Sequence, residues 1–127
     1  MRSLYWALAL AVTVCVTACG DDDGGGGGGG MPPEITMVTW THGAGCTPGT
    51  STAVTIVTTA TDPDTEANLL TFSGSASGCT GSISSANASL MCPQLSPYPT
   101  SVRVTDPEGN MDSLQFTMSP CQNGSAP

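Results

Sequence analysis

Two short acidic stretches carry the residue types best suited to chemistry. Across residues 62–66 acids recur at every second position, as Asp62, Asp64 and Glu66, and across residues 106–110 the same spacing gives Asp106, Glu108 and Asn110. Calcium takes about six to eight oxygen ligands, which loop carboxylates and backbone carbonyls can supply together. The plainer use of these residues is turn chemistry. Asp62-Pro63 and Asp106-Pro107 are turn-starting pairs, Gly109 and Asn110 can finish a turn, and exposed acids keep a sheet edge soluble. Both uses are open at this level.

Other chemistries find less support. His42 precedes Cys46 by four positions, a spacing compatible with zinc, but a cysteine among several in an exported chain is better explained by a disulfide. With a single histidine and no lysine, no nucleophile can be matched to an aligned base. Paired carboxylates for glycoside hydrolysis need a cleft that one small domain does not offer. The chain is therefore not expected to be an enzyme. Trp40 and Tyr98 could form an exposed aromatic platform for a sugar or a partner, or could close one end of a β-sandwich. Asn87-Ala88-Ser89 and Asn123-Gly124-Ser125 match the glycosylation acceptor pattern by chance.

The 127 residues carry a formal charge of -8 with only two basic side chains, Arg2 and Arg103. Such a surface repels nucleic acid and anionic lipid, because phosphate binding requires clustered Lys and Arg. Nucleic acid is excluded as a partner.

The elements that must position these residues are strands. No segment sustains a 3.6-residue apolar period, Thr and Ser abound, and Gly and Pro punctuate. In residues 112–119, Leu114, Phe116 and Met118 face one way while Ser113, Gln115 and Thr117 face the other. Val102 and Val104 alternate with Ser101, Arg103 and Thr105, and the intervening residues 106–110 make these two segments a hairpin. Val54, Ile56, Thr58 and Ala60 offer another core face, Leu70 and Phe72 a further one, and residues 35–41 lead the domain. Weaker strands are expected at residues 81–85 and 88–92. Seven short strands at this spacing predict an all-β, antiparallel sandwich.

Ala60-Thr61-Asp62-Pro63-Asp64 and Val102-Arg103-Val104-Thr105-Asp106-Pro107-Glu108-Gly109-Asn110 resemble bacterial immunoglobulin-like modules of the cadherin-like and PKD-like kinds. The resemblance covers residues 32–119. It implies a disulfide-stapled immunoglobulin-like sandwich, and such modules serve adhesion, spacing and carbohydrate binding alike. In that topology both acidic stretches fall at one end, where they form the candidate calcium site. Cys46, Cys79, Cys92 and Cys121 fall at the other end. The same topology favours pairing Cys46 with Cys121 and Cys79 with Cys92. The full ligand set of calcium-binding cadherins is lacking.

Before this domain, Val16-Thr17-Ala18-Cys19 closes a short apolar run that begins after Met1-Arg2 and resembles the lipobox of bacterial lipoproteins. The run falls short of the roughly 20 residues needed to span a bilayer and has the charged start and small-residue end of an export signal. The resemblance implies removal of residues 1–18 and acylation of Cys19, leaving four cysteines, an even number. Residues 19–30, three aspartates and eight glycines among them, are expected to be a disordered tether spanning roughly 18 Å. Residues 31–127 form the sandwich. The expected protein is a non-catalytic binding or adhesion module, lipid-anchored in the bacterial cell envelope at the outer membrane or cell surface, with an unidentified protein or carbohydrate partner. A structural spacer and an inhibitor or accessory subunit of a secreted enzyme are the alternatives.

Overall fold

A computed structural model describes residues 29–44, 50–93, 97–119 and 121–127. The expected signal segment (residues 1–18), Cys19, most of the expected tether and Cys46 lie outside the described residues. Seven strands are defined within them: β1 (Glu34–His42), β2 (Ser51–Thr61), β3 (Thr71–Ala76), β4 (Asn87–Pro93), β5 (Tyr98–Thr105), β6 (Met111–Met118) and β7 (Gly124–Ala126). They form two antiparallel sheets, β4-β2-β1-β7 and β3-β5-β6, packed as an immunoglobulin-like sandwich.

Alternation along the strands sets the faces. Val54 and Ile56 of β2, Leu90 of β4 and Val102 and Val104 of β5 are almost wholly buried between the sheets, whereas their neighbours in sequence point outward. β1 needs one correction to that rhythm. Its pairing with β2 shifts between Ile35 and Met37, a bulge that inserts one residue and brings Ile35, Val38 and Trp40 to the same inner face. Burying an apolar side chain of this size contributes about 1.5–3 kcal/mol relative to exposure.

Two sequence expectations change. Residues 81–85 do not form a strand; Ile83 makes an isolated bridge to Gly74, and its side chain, 2% exposed, plugs the gap between β3 and β4. The segment is too rich in Gly and Ser to sustain a ladder. The seventh strand is instead β7, which pairs antiparallel with β1 through Val38–Ala126, Thr39–Ser125 and Trp40–Gly124. Gly124 is required there, because a Cβ would fall 2.1 Å from Trp40 Cζ2. β1 and β6 run in the same direction but in different sheets. Ile35 N–H donates to Asp112 at one end of the pair, and Trp40 stacks on Phe116 toward the other.

The expected pairing of Cys79 with Cys92 is present, and Cys121 is also disulfide-bonded. Cys79 and Cys121 come after strands that run away from the acidic stretches, so the covalent staples sit at the opposite end. Among the described residues no helix is long and apolar enough to cross a membrane.

Candidate functional site

At the acidic end, β2 leads out through residues 62–66, a short 3-10 helix (Ala67–Leu69) comes next, and β5 turns into β6 through residues 106–110. Asp62 organises its own loop: its Oδ1 accepts from the backbone N–H of Asp64 at 3.0 Å and of Thr65 at 3.1 Å. Asp106 does the same in the hairpin, accepting from Asn110 N–H at 2.7 Å with one oxygen and from Asn110 Nδ2 at 2.8 Å with the other. Gly109 takes φ of +93°, a left-handed conformation that glycine adopts without penalty. Asp106 is 4% exposed, so its bonds are made where water competes little.

The start of the domain ties the two loops together. Met31 N–H donates to Asp64 Oδ2 at 2.9 Å, and the carbonyl of Gly30 accepts from Asn110 Nδ2 at 3.4 Å. The Met31 amide, and after it the Asp62 side chain, hold Asp64 below the ordinary aspartate value of 3.8. Glu66 and Glu108 are exposed and take no part in this network.

The two stretches are thus brought to one end, as the topology implied, and there Asp62 Oδ1, Asp64 Oδ2 and Asp106 Oδ1 each accept from backbone N–H groups. Among the described residues no group of three His, Cys, Asp or Glu side chains converges as a metal site. One oxygen, Oδ2 of Asp62, is buried without a hydrogen-bond partner. A single such atom is far from the roughly six to eight ligands calcium takes.

A further acid was not singled out from the sequence. Asp112 Oδ2 accepts from Ile35 N–H at 2.8 Å and so clasps the start of β1 to β6. Its signal was parity: Asp112 shares the strand face of Leu114, Phe116 and Met118, an unusual place for a carboxylate without a partner to meet.

The aromatic platform is overturned. Trp40 is 8% exposed and Tyr98 7%. The Trp40 ring lies 5.2 Å from that of Phe116, nearly parallel, and its Nε1 donates to the Gln122 carbonyl at 2.9 Å. Tyr98 opens β5 and donates from its hydroxyl to the carbonyl of Pro93. This is the tyrosine corner of immunoglobulin-like sandwiches. Both rings therefore close the fold. His42, at the end of β1, has Nδ1 2.9 Å from the Gly43 carbonyl, and the Cys46 of the zinc pair lies outside the described residues.

No known protein family, curated protein or solved structure matches this chain. The reading of its surfaces rests on their chemistry.

Proposed function

We propose that this chain is a non-catalytic binding module of the bacterial cell envelope, held to the membrane by lipid on Cys19. The observation that carries the reading is the apolar run closing in Val16-Thr17-Ala18-Cys19, succeeded at once by a tract of aspartates and glycines. The junction of tract and domain supports it: Gly30 and Met31 are pinned between two loops, so attachment there leaves both sheet faces open.

The non-catalytic part rests on separation of chemistry. The one imidazole of the chain stands at the far end of β1 from the gathered carboxylates, about 27 Å away along a nine-residue strand. General acid–base work needs its partners within hydrogen-bond reach. Calcium has no part in the proposal, which takes Asp62, Asp64 and Asp106 as acceptors that hold the turns and the start of the domain.

A structural spacer is the second reading, favoured by the burial of Trp40 and Tyr98 and by outward strand faces made largely of Ser and Thr. Metabolic labelling with palmitate tests the anchor. The wild-type chain should take label and partition with membranes, and Cys19→Ser should do neither; an unlabelled, soluble wild-type chain overturns it. Retention on isolated envelope polysaccharide after detergent extraction separates the two roles, because a module that binds stays and a spacer washes off.

A further inference from the structure

The outer face of the β3-β5-β6 sheet carries an arrangement with no structural task. Arg103, the one basic residue of the domain, projects from the central strand β5 and is exposed. Its cross-strand neighbours are Ser73 on β3 and Ser113 on β6. In the next row Ser101 lies opposite Gln115. A carboxylate directly across the strand would stabilise such an arginine. Here every acid of the domain sits in or beside the loops of one end or at the starts of β1 and β6, and the guanidinium is ringed by hydroxyls and an amide.

Beneath these side chains lies a shallow cavity of about 210 Å³, floored by Gly74 and Val102. At Gly74, where β3 meets β5, a Cβ would fall 2.2 Å from the Ser101 carbonyl oxygen, so the position takes only glycine. The volume is below the roughly 300–1,000 Å³ of pockets for drug-sized ligands, so the cavity suits one small unit. The donors around it are a planar five-donor guanidinium, three hydroxyls that both donate and accept, and one carboxamide. A guanidinium matches a carboxylate in bidentate fashion, and hydroxyls and amides match the hydroxyls beside it.

We propose that this groove binds a sugar acid, a single hexuronate unit, through Arg103 on the carboxylate and Ser73, Ser101, Ser113 and Gln115 on the ring hydroxyls. The proposal rests on the binding-module reading and names the ligand class for it. It is independent of the anchor: loss of lipid on Cys19 leaves the groove intact.

The test is calorimetric titration of the oxidised full-length chain in detergent with D-glucuronate, D-glucose and acetate, each into wild type and Arg103→Gln. Glucuronate should bind wild type at least about tenfold more tightly than either glucose or acetate, and Arg103→Gln should lose about tenfold or more, the scale of one charged hydrogen-bonding partner. Amide shifts on glucuronate addition should centre on Ser73, Ser101 and Ser113. Equal affinity for acetate reduces the site to a bare charge and overturns the proposal, as does undiminished binding by Arg103→Gln or absence of binding to wild type. Retention on polysaccharide with no glucuronate affinity defeats the groove and spares the binding module. Absence of both defeats the module as well.

Discussion

The two ends of this sandwich are held by different chemistry. At one end Cys79 is bonded to Cys92 and the Tyr98 hydroxyl is tied to Pro93, so closure there is covalent and aromatic. At the other, Asp62, Asp64, Asp106 and Asp112 each accept backbone N–H groups from their own loop or from the start of the domain. A domain with few large side chains has a limited core to rely on, and it uses both solutions. The difference teaches that a cluster of acids need not be a ligand site: each carboxylate can satisfy an amide that would otherwise be orphaned in a turn. It also means that reductant and acid should attack opposite ends.

The largest effect belongs to the cysteine end. Replacing Cys79 and Cys92 together by Ala opens a loop of sequence separation 13 and should lower stability by about 3 kcal/mol in urea unfolding. A loss below about 1 kcal/mol would mean that the tyrosine corner and packing around Cys92 suffice there.

Next comes Asp106→Ala at the acidic end. It strands the Asn110 amide and should cost about 2–3 kcal/mol, with Asp106→Asn recovering part of the loss. If both variants unfold at the wild-type urea midpoint, that end is held by the β5–β6 ladder alone and the contrast between the ends fails.

The smallest effect is that of pH on Asp64. Its folded-state value lies below 3.8, so the stability it contributes is present above that pH and is lost as the pH falls through the lower folded value. Asp64→Asn should therefore flatten the acid limb of thermal melts taken from about pH 5 to pH 2 while leaving the neutral midpoint nearly unchanged. An unaltered acid limb would place the acid sensitivity elsewhere.

Much of this architecture was legible in residue order. Period-two alternation marked β2, β5 and β6, and the Asp-Pro pairs with Gly109 marked the turns. Where reading failed, the information was not local. β7 has no apolar alternation; it forms because Gly124 alone fits under the Trp40 indole, a contact between residues far apart in the chain. Residues 81–85 carry an apolar Ile83 among small residues, and only the gap between β3 and β4 decides that it plugs and does not pair in a ladder. The acids were correctly gathered, but which oxygen meets which amide depends on loop geometry. The groove at Arg103 was invisible because serines and an arginine on the outward positions of strands look like any solvated face.

The clasp of Gly30 and Met31 onto Asn110 and Asp64 also decides how the domain bears a mechanical load. A pull on the chain ahead of Met31 is delivered first to those side-chain clasps and then along the axis of β1, which lies between β2 and β7. The force therefore acts as shear across two ladders at once and must break many hydrogen bonds together, where a strand peeled from its end would yield them one by one. Under such a load β1 would hold longer than an edge strand drawn off from its end.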